Sequence, residues 1–167
     1  MSSMKTVIFL VAGLSLAACS DARWDDTNSG SGGAGLSAGG SLHDPSSPAY
    51  FREAIGDRVL FLVDQSSISP TAQAILDGQA RWLNANGDYV VTIEGHADEQ
   101  GTREYNLALG ARRANAAREY LISQGVAGGR IQVVSYGKER PIEICSEESC
   151  YAQNRRAVTV LAGGAVS

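Results

Sequence analysis

The chain has 167 residues, 44% of them hydrophobic and 19% charged, with a formal net charge of −4. That length allows one core of ordinary size after a leader and a linker are set aside. An acidic balance excludes bulk electrostatic binding to nucleic acid.

The first eighteen residues have the layout of a secretory leader. Lys5 precedes the apolar run Val7-Ile-Phe-Leu-Val-Ala-Gly-Leu, which closes on Leu16-Ala-Ala-Cys19. The run is too short to span a membrane, which takes roughly 20 residues. Ending on a cysteine resembles a bacterial lipoprotein signal, in which the Cys19 thiol is acylated and becomes the first residue. Ser20 at the next position implies onward transport to the outer membrane. Residues 19–48 then form a Gly/Ser-rich stretch with almost no large apolar side chain, expected to be a flexible tether with a reach of about 30 Å.

Beyond the tether, residues 49–167 read as one domain of alternating elements. Arg58 to Val63 is a buried-strand pattern, and Ser69-Pro70 supplies an N-cap and first-turn proline for a helix to about Asn86-Gly87. Ala72, Ile75, Leu76, Ala80 and Leu83 make its apolar stripe. Val90 to Glu94 is a second strand, and Arg103 to Gln124 a second helix stopped by Gly125, with a core stripe of Leu107, Gly110, Ala114, Ala117 and Leu121. The small residues in that stripe predict close approach to a sheet. Arg130 to Ser135 is a third strand. A helical turn around Ser149 to Gln153 precedes a fourth strand, Ala157 to Leu161. The fold class is α+β: a four-stranded sheet with two main helices on one face.

One constellation in this layout carries chemistry. Asp98 ends the second strand pattern, and Asn106 and Arg113 stand seven residues apart on the following helix, about 20° from each other around its axis. Acid, amide and arginine on facing positions suit a ligand with both charge signs. Arg112 points well away. Bland roles exist for each: Asp98 as a helix cap, Asp64 as a turn residue, Arg113 as a structural ion pair. His96 lies beside Asp98 and Glu99, but the only other histidine is His43 in the tether, so a catalytic zinc would lack its usual ligands. No catalytic residue and no metal site is expected. Cys145 and Cys150, which bracket Ser-Glu-Glu-Ser, remain as an even pair once Cys19 is lipidated. A local disulfide is the expectation for an exported chain, worth about 2 kcal/mol on a chain-entropy model. The alternative, a metal pair, finds no histidine nearby.

From Val59 to Leu161 the chain resembles the OmpA-like peptidoglycan-binding domain. The likeness rests on Phe61-Leu-Val-Asp64, Val91-Thr-Ile-Glu-Gly-His-Ala-Asp-Glu-Gln-Gly-Thr102, Tyr105-Asn106, Leu109-Gly-Ala-Arg-Arg-Ala-Asn-Ala116, Val134-Ser-Tyr-Gly-Lys-Glu-Arg-Pro141 and Asn154-Arg-Arg-Ala-Val158. With the leader, it resembles the lipid-anchored members, the peptidoglycan-associated lipoproteins. The resemblance implies that Asp98 and Arg113 hold the diaminopimelate residue of the stem peptide, that Asn106 and Leu109 line its pocket, and that Asp64 closes the first strand beside it. It implies a non-enzymatic tether in the outer membrane, peptidoglycan and the periplasmic TolB protein with its Tol complex as partners, and no cofactor beyond the lipid on Cys19. Val63 departs from the family, which often has an aromatic there. A peptidoglycan hydrolase, or a wall-binding lipoprotein outside the Tol system, is the alternative.

Overall fold

The structure is a computed structural model that describes residues 42–163. The leader, Cys19 and most of the expected tether lie outside these residues. Packing onto the domain begins ahead of residue 49. Trp82 Nε1 donates to the Pro45 carbonyl at 2.6 Å, and the Tyr89 hydroxyl to that of Ser46 at 3.2 Å. Ser47 accepts from the Tyr50 amide and caps a helical turn, α1 (Pro48–Tyr50), which continues as a π-helix, Phe51–Gly56. Sequence patterning leaves this segment unassigned because so few turns show no periodicity. It is held by its aromatic ring: Phe51 is fully buried, 4.8 Å from Trp82, which in turn stands 5.1 Å from Tyr89.

Strand β1 is only Arg58–Leu60, half the expected length. Phe61 still donates its amide to Arg155 O at 2.8 Å, but Leu62 and Val63 turn outward, 64% and 52% exposed. The carbonyls of Leu62 and Gln65 are taken by Arg113 instead of by a neighbouring strand. Helix α2 (Pro70–Ala85) starts as expected, with Ser69 Oγ accepting from the Ala72 amide. Ala72, Leu76, Ala80 and Leu83 are buried. Gln79, also buried, bridges the Gly56 carbonyl and the Thr159 hydroxyl. Arg130 donates to the carbonyls of Leu83, Asn86 and Tyr89, satisfying the open end of this helix.

Strand β2 (Val90–His96) leads through a short loop to α3 (Arg103–Ser123), capped by Thr102 and followed by Gly125 at φ 93°. A 3-10 turn (Gly128–Arg130) opens β3 (Ile131–Gly137), and α4 (Glu148–Asn154) precedes β4 (Arg156–Ala162). The sheet order is β1-β4-β2-β3, with β2 and β3 parallel and the other pairs antiparallel. Val91, Ile93, Ile131 and Ala157 share one core with Leu76, Leu83, Ala114, Ala117 and Leu121, which is the expected mixed sheet with two main helices.

Leu107 corrects the expected stripe of α3: it is 46% exposed. There the helix meets the sheet through its main chain, since a Cβ on Gly137 would lie 2.9 Å from Leu107 N. One turn on, the contact is closer still. A Cβ on Gly95 would stand 1.8 Å from Gly110 O, and one on Gly110 would stand 2.4 Å from Ser135 Oγ. The two glycines set the distance between α3 and β2, and every group presented at the end of that pair inherits it. Gly95→Ala collides first with helix backbone, the Gly110 carbonyl, and then with the Ala114 Cβ at 3.1 Å, neither of which can swing aside, and should cost more than the 1–3 kcal/mol typical of overpacking. Gly110→Ala should fall within that range. Urea unfolding of both variants checks the ranking.

Candidate functional site

The site is built where β2 ends. Ala97 extends the parallel pairing by one bond, donating to Gly137 O at 2.8 Å. The chain then leaves the sheet as a loop, Asp98 to Thr102, that is held from three directions. Asn106 Nδ2 donates to the carbonyls of Gln100 at 2.8 Å and Asp98 at 3.3 Å. Lys138 Nζ donates to those of Gly101 at 2.8 Å and Glu99 at 3.3 Å. The Glu99 carboxylate accepts from the hydroxyls of Tyr151 at 2.8 Å and Ser146 at 3.2 Å. Gly101, at φ 90°, makes the turn that an L side chain would strain. Asp98 is 7% exposed, its Oδ1 accepting from the Gln100 amide.

Between this loop and the segment after β1 lies a cavity of about 310 Å³. Val63 and Asp64 form one wall, Asp98, Gln100 and Gly101 the other, and Tyr105, Asn106 and Leu109 of α3 the rest. Asp64 adopts φ 56°, an uncommon conformation for a residue with a side chain, and its Oδ1 accepts from the Tyr105 hydroxyl. Asn106 lines this cavity, and its Oδ1 is buried with no hydrogen-bond partner among the described residues. Two larger hollows, about 480 Å³ beside Trp82 and about 570 Å³ beside Leu62, have no acid in their walls. Among the described residues no cluster of histidine, cysteine and acid could hold a metal ion.

Four of the residues singled out in the sequence, Asp64, Asp98, Asn106 and Leu109, therefore meet at one cavity. The fifth, Arg113, stands behind it. Its guanidinium is fully buried, with Nε donating to Gln65 O at 2.8 Å, Nη1 to His96 O at 2.9 Å and Nη2 to Leu62 O at 3.1 Å. Three of its five N–H donors thus serve main-chain carbonyls, and its fork is not presented to the cavity. Burial pushes this guanidinium down to about 10, opposed by Asp98 and Asp64, which leaves it cationic at neutral pH. Arg112 is exposed, as the helical wheel implies, with its guanidinium 5.9 Å from the Tyr105 ring.

Arg155 is the participant that sequence spacing missed. It is 3% exposed, and its Nη1 reaches Asp98 Oδ2 at 3.2 Å from 57 positions away in the chain. Only its place in Asn154-Arg-Arg-Ala-Val158 could have flagged it. Cys145 and Cys150 are joined by a disulfide, Cα to Cα 5.9 Å. His96 is packed at the strand end, 1% exposed and 5.6 Å from the Tyr136 ring. Burial, then Arg156 and Arg140, push its imidazole down to about 4. Glu94 Oε2 lies 3.6 Å from Nε2, beyond hydrogen-bond distance, and does not offset the loss of solvent.

The architecture is that of a known family. The OmpA family model matches residues 60–155. The chain is 52% identical over 157 residues to the peptidoglycan-associated lipoprotein of Rhizobium meliloti (strain 1021), covering 94% of this chain and 87% of that one. It is 51% identical over 159 residues to the protein of the same name from Mesorhizobium japonicum, covering 94% and 91%. Among solved structures, the peptidoglycan-associated lipoprotein from Burkholderia pseudomallei superposes with a TM-score of 0.64 at 40% identity, over 72% of this chain and 98% of that one. The C-terminal domain of Helicobacter pylori MotB shares the fold, with a TM-score of 0.61 at 20% identity, over 65% and 86%. The chain belongs to the OmpA family.

Two outcomes are expected from these groups. Arg113→Lys retains a charge but cannot reach three carbonyls, and should lower unfolding free energy by about 3 kcal/mol; a loss below about 1 kcal/mol in urea would show that the carbonyls find other donors. For His96, the folded value lies below the unfolded 6.5, so between these values the unfolded chain binds the proton and the folded one does not. Its contribution is therefore complete above pH 6.5 and is lost as pH falls toward 4. Stability measured across that window should fall less steeply in His96→Gln, by up to about 1.4 kcal/mol per pH unit.

Proposed function

We propose that this chain is an outer-membrane lipoprotein that binds peptidoglycan non-covalently through the diaminopimelate of the stem peptide. The free end of meso-diaminopimelate carries an ammonium and a carboxylate on one carbon. The cavity offers the carboxylates of Asp98 and Asp64 to the ammonium, with the unpaired Asn106 Oδ1 beside them. The Gln100 side-chain carboxamide, at the cavity wall, and the positive field of Arg113 serve the carboxylate. A ligand with charges of both signs meets a wall with charges of both signs, and the pairing of two acids with an unsatisfied amide oxygen is the observation that carries the reading. Family membership and the names of the relatives support it.

The remaining expectations belong to the same reading. The lipid on Cys19 sits in the inner leaflet of the outer membrane, the Gly/Ser-rich stretch lets the domain reach the wall, and no reaction is catalysed. TolB and the Tol complex are the partners in envelope integrity and cell division, competing for the face that takes the wall.

The decisive experiment is cosedimentation with purified sacculi of the chain from residue 20 onward, which lacks the acylated cysteine. The parent should pellet, and Asp98→Ala and Asp98→Asn should both weaken binding at least tenfold, with no muropeptide released. A stem tripeptide containing meso-diaminopimelate should compete, and its lysine counterpart should compete less. Undiminished pelleting by both variants would place the site elsewhere, and released fragments would make the chain a hydrolase.

A further inference from the structure

The segment between β3 and β4 contacts two neighbours of Asp98 at two independent points, Arg155 and Glu99. The disulfide closes a ring around Ser146, Glu147, Glu148 and Ser149. From that ring, the Glu148 carboxylate engages Arg155, Oε1 with Nη2 and Oε2 with Nη1 at 3.3 Å. Arg155 in turn holds Asp98 Oδ2 through the same Nη1 and the Phe61 carbonyl through Nε, each at 3.2 Å. The second point is Glu99, next to Asp98, which takes the hydroxyls of Ser146 and Tyr151 on one oxygen.

Building on the binding reading above, we infer that Glu148 and Arg155 are positioning residues for the ligand acid Asp98, and that the Cys145–Cys150 disulfide tunes ligand affinity by holding Glu148 on Arg155. Arg155 is buried and cationic, so it orients Asp98 but also competes with the ligand's ammonium for that carboxylate. Glu148 approaches the far side of the same guanidinium and shares its Nη1. With Glu148 in place, Arg155 is compensated from outside and Asp98 keeps its charge for the ammonium. Without it, both Nη groups of Arg155 are free to close on Asp98, and the carboxylate is more fully engaged when the ammonium arrives. Consistent with this order, Glu148 is the larger influence holding Arg155 above its ordinary value, ahead of Asp98.

Glu148 is reached by solvent, with 66% of its side chain exposed, so a carboxylate there stays on Arg155 only if its backbone is held. Glu148 opens α4, and the disulfide from Cys150 in the first turn of that helix back to Cys145 adds the restraint that fixes where the turn sits. Asn154 pins the other end of the loop, its Oδ1 accepting from the amides of Ile142 at 2.8 Å and Glu143 at 3.2 Å. The device is local to the loop, so altering it leaves the core untouched.

The test measures the affinity of the chain from residue 20 onward for a soluble stem tripeptide ending in meso-diaminopimelate, with thermal unfolding as the control. Glu148→Gln should weaken binding about 3- to 5-fold at low salt, the range of a partly exposed ion pair, and less at high salt. Glu148→Lys should weaken it further. Cys145→Ser/Cys150→Ser should weaken it by at least as much as Glu148→Gln, and adding Glu148→Gln to that background should cost nothing more, a non-additivity that simple loop damage does not produce. Failure of the parent to bind the tripeptide would overturn the binding reading and this inference together. Parent binding that is unchanged in Glu148→Gln and in the cysteine variant would overturn the inference alone, as would full additivity between them.

Discussion

A guanidinium with no exposed surface sits at the centre of this domain, and the rest of the site follows from satisfying it. Removing such a group from water is costly unless its donors are used and its charge is answered nearby. Arg113 meets the first condition with the carbonyls of Leu62, Gln65 and His96, and the second with Asp98 and Asp64. The segment after β1 and the end of β2 have no ladder bond to each other; the arginine joins them. Holding those two segments at a fixed separation is what leaves a cavity between them. The carboxylates that answer the buried charge are also the ones that face the cavity, so folding and the proposed binding would place demands on the same two residues. Strain is tolerated for this purpose at Asp64, whose φ of 56° is uncommon outside glycine.

Such an arrangement depends on how near α3 comes to the sheet. With Gly95 and Gly110 in backbone contact, the helix brings Asn106 under the Asp98 loop and Arg113 behind it. Asn106 then spends its two donors on that loop and leaves its oxygen unpaired, while Lys138 and Tyr151 fix the loop from the sides. A ligand entering here meets groups already oriented, so little ordering remains to oppose binding. The neutral His96 ring stands on the strand just before the loop and adds no third cation to the two arginines that face Asp98.

Charge alternates across the site: Asp64 and Asp98 on the cavity walls, Arg113 and Arg155 behind them, Glu148 beyond Arg155. Close pairs of opposite sign keep the local net charge small while preserving strong local fields, the surroundings that the proposed zwitterionic ligand would meet. A lysine in place of Arg113 would supply the charge but not the three-way link between segments.

Much of this was determined by local sequence. The helix boundaries at Ser69-Pro70 and Gly125, the strand patterns of β2 to β4, the small residues of α3 and the placing of Asp98, Asn106 and Arg113 all arise from short-range periodicity and capping, which operate within a few residues. Tertiary structure decided what depends on partners far away in the chain. The apolar run to Val63 ends as a strand at Leu60 because Arg155 and Arg113 capture the carbonyls of Phe61 and Leu62. Leu107 is exposed because Gly137 meets the helix backbone there, and residues 45–56 pack because Trp82 offers a surface to Phe51. Arg113 became a buried link and not an exposed fork for the same reason. Periodicity shows which way a side chain points, but only the assembled segments determine which acceptors wait for it, and for Arg155, 57 positions from Asp98, no local pattern could.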